Sequence, residues 1–192
     1  MTVKHFLRSY GLLALIAGLI ILVDQFSKAY IRAHFIEGVD MWAPWNWLLP
    51  YARILYVSNT GVAFGLFKGM GGIFTILAII VALAIIYYFP RVSAEDWTLR
   101  LAMGMQLGGA VGNLIDRVTQ GNVTDFISVG NFPVFNVADA SITVGVAVLI
   151  LGIWMQEQRQ KKELALQESA ERGTANADVL DADSHPRDGQ SS

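Results

Sequence analysis

Two aspartates stand where an acid is hardest to explain and easiest to use. Asp125 lies in Asn122-Val123-Thr124-Asp125-Phe126, and Asp139 lies in Phe135-Asn136-Val137-Ala138-Asp139-Ala140-Ser141, where a long apolar run begins. A carboxylate at the edge of hydrocarbon loses hydration that nothing apolar replaces. If the two carboxyls meet, they do not both ionise readily; they share a proton and their apparent pKa values split. One member can then take a proton from water while the other donates to a carbonyl oxygen, which is acid–base hydrolysis. The turn signal Gly130-Asn131-Phe132-Pro133 between them lets the chain double back.

Each candidate has a structural reading beside the chemical one. Asp139 follows Asn136 by three positions, so the two could form a capping pair at a helix start, where the helix dipole also favours an acid. That geometry would equally help keep a catalytic carboxylate ionised, and both readings stay open. Asp125 has no capping explanation of similar quality. Gly109, Asn113 and Asp116 share one helical face, and Asp116 and Arg117 are expected to bond other polar groups within a bundle. Asp24 and Lys28, at i and i+4, favour an ion pair, with Gln25 and Ser27 adding polar surface.

The elements that must hold these residues are membrane spans. Hydrophobic residues make up 54% of the 192 and charged ones only 16%, whereas a soluble domain carries about a quarter charged residues. The first span is expected at about 10–31, the second at 71–89, the third at 99–117 and the fourth at 137–154, each near the ~20 residues that cross a bilayer. In the third, Gly104, Gly108 and Gly112 recur at every fourth position, with Gly109 beside them, a spacing that lets helix backbones approach closely. Between the first two spans, residues 32–68 are rich in Trp, Tyr and Pro. There, Arg53–Val57 reads as a short strand, Asn59-Thr60-Gly61 as a turn leading into Val62–Phe67, and the whole as a small sheet lying on the membrane surface.

Cations orient the bundle. Lys4 and Arg8, Arg91 and Arg100, and Arg159, Lys161 and Lys162 mark the N-terminus, the second connection and the tail as cytoplasmic. The connection 118–136 holds no Lys or Arg; that of 32–68 begins at Arg32 and holds Arg53 and Lys68, so the bias is weaker there. Both termini inside puts the two aspartates on the extracytoplasmic side. Residues 156–192 form a polar tail, helix-compatible to about Ala170 and expected to be disordered from Gly173 on. The chain has no cysteine, and His5, His34 and His185 are scattered, so disulfides, thiolate chemistry and a zinc site are not expected. A net charge of −2 gives no reason to expect nucleic acid as a partner.

Five motifs in order resemble one family, the bacterial lipoprotein signal peptidases, or signal peptidase II. They are Asp24-Gln25-Phe26-Ser27-Lys28, Ser58-Asn59-Thr60-Gly61-Val62-Ala63-Phe64, Gly108-Gly109-Ala110-Val111-Gly112-Asn113-Leu114-Ile115-Asp116-Arg117, Val123-Thr124-Asp125-Phe126 and Phe135 to Ser141, within about residues 10–155. The resemblance implies an all-α membrane protein with four transmembrane helices, an extracytoplasmic β-sheet cradle, and residues 1–155 as the peptidase domain. It implies an aspartic endopeptidase of the bacterial inner membrane. The implied substrate is a prolipoprotein already modified with diacylglycerol, cut just before the lipidated cysteine. Asp125 and Asp139 become the catalytic pair; Asp24, Asn59, Gly109, Asn113, Arg117 and Asn136 fall on pocket positions, while Lys28 and Asp116 are architectural. No cofactor or metal is implied, membrane lipid is a partner, and the enzyme is expected as a monomer. Ser58 stands where many relatives have Tyr, and Thr124 where Val is usual. The rival readings from the residues are a proton-coupled transporter or channel subunit, since membrane carboxylates also relay protons, and a non-catalytic assembly factor whose polar residues only fix packing.

Overall fold

A computed structural model describes residues 3–60 and 71–184. The expected turn at Gly61, the run Val62–Phe67, Lys68 and His185 lie outside the described residues. Two compact units divide the chain at Gly152 and Ile153, and the first holds all the candidate residues.

Four α-helices and three strands, with short 3-10 turns at Asn46–Leu48 and Phe89–Arg91, make up the described chain: α1 (Val3–His34), β1 (Met41–Trp42), β2 (Ala52–Asn59), α2 (Gly71–Tyr88), α3 (Trp97–Gln120), β3 (Val123–Val129) and α4 (Val137–Ser184). Three of the helices, over Tyr10–His34, Gly71–Arg91 and Val137–Ser169, are long and apolar enough to cross a membrane. Their large hydrophobic side chains point outward: Leu15, Leu19 and Leu22 on α1, Ile76, Ile80 and Leu83 on α2, Val144 and Ile150 on α4 are all exposed. Charged and polar groups lie inside instead, with Asp24, Lys28, Asp116, Asp125 and the amide of Asn136 buried. An apolar exterior around a polar interior is the inverse of a soluble domain, and this is a membrane protein.

Of the four expected spans, the first, second and fourth have both the length and the apolar composition to cross a membrane. Helix α3 has the length but not the composition, because Arg100, Asp116 and Arg117 interrupt it. Much of α3 is buried within the fold, so it does not need an apolar surface all round. Its glycines set that burial. A Cβ at Gly104 would meet Ile16 Cγ2 at 2.8 Å, and one at Gly108 would meet Ile20 Cβ at 2.8 Å, so α1 and α3 approach almost backbone to backbone. On its other side, a Cβ at Gly109 would collide with the Ala138 carbonyl and, at 2.6 Å, with Ser141 Oγ of α4. Near the N-terminal half of α1, Tyr10 donates to the Ile86 carbonyl of α2 at 3.0 Å.

The sheet runs β1-β2-β3, antiparallel throughout. Its third strand was not expected: the region around Asp125, read as a connection between turns, is a strand paired with β2. Pairing runs Ile54 to Ile127 and then Val57 to Asp125, so one extra residue of β2 bulges between them. A one-residue slip exchanges the faces of a strand. The bulge therefore decides which β2 side chains share a face with Asp125. Past β3, the Val129-Gly130-Asn131-Phe132 turn closes with Phe132 N–H donating to the Val129 carbonyl at 2.9 Å, Gly130 having φ 52°. The chain then returns along β3, with Phe135 N–H and C=O both bonded to Ile127. The expected doubling back is present.

The second unit, Ile153–Ser192, is a helix through Ser184. Residues 173–184 are thus helical where disorder was expected. Apart from Gly173 the stretch contains no strong helix breaker, and Ala recurs through it at 175, 177 and 182. Lys161 and Glu157 make an exposed i, i+4 pair at 2.8 Å.

Candidate functional site

The site gathers where α1 and α3 end, α4 begins and β3 crosses. Helix α3 stops at Gly121, whose φ of 77° is open to glycine without strain and whose N–H donates to the Arg117 carbonyl. Two residues later β3 starts, and Asp125 follows on the same strand face as Val123. Val123 pairs with Asn59, so Asp125 is the diagonal neighbour of Asn59. Asn59 Nδ2 duly donates to Asp125 Oδ2 at 2.8 Å.

Asp139 is set by a capping box. The Asn136 Oδ1 accepts Asp139 N–H at 2.9 Å, and Asp139 Oδ2 accepts Asn136 N–H at 3.3 Å. A third orphan donor of this helix end, Ala138 N–H, goes to Asp24 Oδ1 at 2.9 Å. The same Asn136 amide donates to Asp125 Oδ1 at 2.7 Å and to Asn113 Oδ1 at 3.1 Å. Asn113 in turn donates to Asp139 Oδ1 at 2.7 Å. The two aspartates thus hang on one amide chain, Asn59, Asp125, Asn136, Asn113, Asp139.

Behind that chain lies a buried ionic cluster. Lys28 Nζ reaches Asp24 Oδ2 at 2.8 Å, Asp116 Oδ2 at 3.3 Å and Asn113 Oδ1 at 2.9 Å, with the Lys28 side chain fully buried. Asp116 also accepts Thr124 N–H at 2.9 Å and faces Arg32 at 3.6 Å. Gln25 Nε2 bridges Asp24, the Gly112 carbonyl and Asp116. Gly112 is needed there, since a Cβ would sit 2.7 Å from Asp24 Oδ2. Every buried charge in the cluster has an opposite partner, as burial of ions requires.

A cavity of about 520 Å³ opens onto the pair. Asn59, Asn113, Arg117, Asp125 and Asp139 give it polar walls, and Phe74, Phe132, Val134, Phe135 and Val144 are among its apolar ones. An adjoining groove of about 260 Å³ runs from Asn113, Arg117 and Asp139 along Leu77, Ala78 and Val81 of α2. Among the described residues the Arg117 guanidinium has no hydrogen-bond partner, yet its charge faces those of Asp139, Asp125 and Asp116. Burial, followed by the charge of Asp139, pushes the Asp125 carboxyl up from 3.8 to about 6, against the lowering effect of Asn59, Asn136 and Lys28. At that value it can hold or release a proton near neutral pH.

Of the expected site residues, Asp125, Asp139, Asn59, Asn113 and Arg117 line one cavity. Asn136 lies fully buried behind it, joining the two acids. Asp24 and Gly109 do not line it: Asp24 grips the first turn of α4, and Gly109 provides the room for that turn against α3. Lys28 and Asp116 sit in the ionic cluster, and Lys28 also touches Asn113. Arg32 was missed. It donates to Thr124 Oγ1 at 2.9 Å, and its place one turn beyond Lys28, in the row Asp24, Lys28, Arg32, was the available signal. The aromatic wall of Phe74, Phe132 and Phe135 had no local signal. No group of His, Cys, Asp and Glu suited to a metal ion occurs among the described residues.

Comparison with known proteins agrees over the same region. A family model described as signal peptidase (SPase) II matches residues 16–155. The chain is 36% identical over 157 residues to a lipoprotein signal peptidase of Halalkalibacterium halodurans, covering 78% of this chain and 96% of that one. It is 34% identical to a lipoprotein signal peptidase of Bacillus subtilis, covering 78% and 97%. Two solved bacterial membrane enzyme structures share the fold. One has a TM-score of 0.71 at 31% identity, covering 78% of this chain and 91% of that one. The other has a TM-score of 0.66 at 33% identity, covering 74% and 92%.

Proposed function

Because the chain belongs to the signal peptidase II family, we propose that it is an aspartic endopeptidase acting on prolipoproteins. The observation that carries this reading is the joint placement of Asp125 and Asp139 on one cavity, tied through Asn136 and Asn113. The substrate is a precursor whose cysteine already bears diacylglycerol, and the cut falls just before that cysteine.

The pair works with one shared proton. The ionised member takes a proton from water, whose oxygen bonds to the scissile carbonyl carbon. The protonated member donates to the carbonyl oxygen as the tetrahedral intermediate forms. Collapse breaks the C–N bond, re-forms the carbonyl and passes a proton to the leaving amine, and the pair is left with one proton again. Arg117, with unused donors on the cavity wall, is suited to substrate carbonyls. Asn59 and Asn136 hold Asp125 in register with them. Residues of this chain supply each step, with no cofactor.

The site's placement favours a bilayer substrate. Helix α3 completes a four-span bundle as a shielded inner helix, both termini face the cytoplasm, and the site faces outward from the inner membrane. The groove along α2 joins the cavity to the lipid-facing surface, so acyl chains can stay in the bilayer while the peptide enters. The enzyme acts as a monomer.

The reading is tested by incubating purified protein with a prolipoprotein, with and without its diacylglyceryl group, and weighing the products by mass spectrometry. Cleavage next to the modified cysteine, and of the modified form only, is expected. Equal cleavage of the unmodified form refutes lipid selectivity, and no cleavage of either refutes the peptidase reading.

A further inference from the structure

The buried lysine of α1 does more than neutralise acids. Lys28 spends its three ammonium protons on Asp24, Asp116 and Asn113 Oδ1. An ammonium only donates, so the oxygen of the Asn113 amide must face Lys28 and its nitrogen must face Asp139. Asn136 Nδ2 donates to the same oxygen and reinforces that orientation. Were the amide reversed, its oxygen would confront Asp139, and only a protonated Asp139 could bond to it.

The two acids differ in what else surrounds them. Asp139 occupies the third position of α4, at the positive end of a long helix, and takes Asn136 N–H as well. Asp125 stands on a strand, with no helix end behind it. Among the described residues, the ionisable groups around the pair are Asp24, Lys28 and Arg32 from α1, Asp116 and Arg117 from α3, Asp125 from β3 and Asp139 itself from α4. β2 contributes Asn59, which does not ionise, and the part of α2 at the cavity is apolar. With both members of the pair ionised these groups carry one excess negative charge, and a single shared proton brings them to neutrality.

We propose that Lys28 is a positioning residue that assigns the pair's proton: by locking the Asn113 amide it holds Asp139 as the carboxylate and leaves the shared proton on Asp125. Asp139 is then the base that draws a proton from water, and Asp125 the acid. The inference rests on the reading of the two aspartates as a catalytic pair.

Lys28→Met leaves Asp24 buried without its cation and Asp116 with Arg32 alone, which threatens folding. Asn113→Leu removes the donor to Asp139 while keeping both ion pairs of Lys28, so it is the primary variant. In the full-length protein in nanodiscs, kcat against pH should show an acid limb set by protonation of Asp139. The variant should move that limb upward by about one to two pH units, the worth of one hydrogen bond to an ionised group. Carboxyl ¹³C NMR of the wild type, with Asp125→Asn and Asp139→Asn used for assignment, should place the proton on Asp125 at the pH of maximal activity. An unmoved acid limb in folded Asn113→Leu overturns the proposal, and so does a proton on Asp139. Turnover surviving in Asp125→Asn or Asp139→Asn would instead overturn the catalytic pair itself.

Discussion

Asn136 donates its side-chain amide to Asp125 Oδ1 at 2.7 Å while the oxygen of that same amide caps α4 by accepting Asp139 N–H at 2.9 Å. One side chain therefore fixes a strand acid and a helix acid together. These duties separate by substitution. Asn136→Ser keeps a capping oxygen but is too short to reach Asp125, so it should melt near wild type. Asn136→Ala should lose about 1 kcal/mol of cap stability as well. Both should lose turnover by about threefold to tenfold, the worth of a hydrogen bond to a neutral carboxyl. Thermal melts and kcat for the two variants check this; normal turnover in Asn136→Ser would show that the link to Asp125 is idle.

The carboxyl of Asp125 supplies a pH signature. It is raised from 3.8 to about 6 in the fold, so the folded state binds this proton more tightly than the unfolded chain does. Stability from this group is full below about 3.8 and is lost as pH rises through about 6. Asp125→Asn removes that loss. Its melting temperature relative to wild type should therefore become more favourable between pH 4 and 7, by an amount on the order of 1–3 kcal/mol in stability. A difference that stays flat across this window would contradict the raised value.

Two glycines should both lose stability on substitution and differ in activity. Gly112→Ala pushes a methyl to within 2.7 Å of Asp24 Oδ2, and Asp24 is held by Lys28 and Ala138 N–H and has nowhere to go. A loss of about 1–3 kcal/mol is expected, with turnover falling because the start of α4 shifts. Gly121→Ala faces open space and suffers only its φ of 77°, about 1–2 kcal/mol, with activity retained in the folded fraction. Melts and activity on both variants decide; an active, stable Gly112→Ala would mean that Asp24 is not locked.

Thr124 is a departure with a visible partner. Its hydroxyl accepts from Arg32, a bond that valine cannot form, while Arg32 keeps its contact with Asp116. Thr124→Val should therefore lose at most about 1 kcal/mol and leave turnover nearly intact. A large loss of activity would place Arg32 closer to the chemistry than the ionic cluster suggests.

Short-range relations were legible in the sequence. The Asn136–Asp139 capping box, the Asp24–Lys28 pair and the turn after Val129 each follow from spacing within a few residues, and each is present. Apolar runs gave α1, α2 and α4, because helices facing lipid must declare themselves by composition. Helix α3 is different: it is buried by its neighbours, so hydropathy alone does not mark it, and its glycine spacing does. The pairing of β2 with β3, and the bulge that aligns Asn59 with Asp125, depend on residues more than sixty positions apart and leave no local trace. For the same reason Lys28 looked like scaffold, although its third proton goes to Asn113.

The most direct measurement is turnover of a diacylglyceryl-modified prolipoprotein by Asp125→Asn and by Asp139→Asn, each shown to be folded. Both variants should be inactive to the limit of detection, because neither asparagine can exchange a proton with its partner. Near-normal turnover in either one would contradict the catalytic pair.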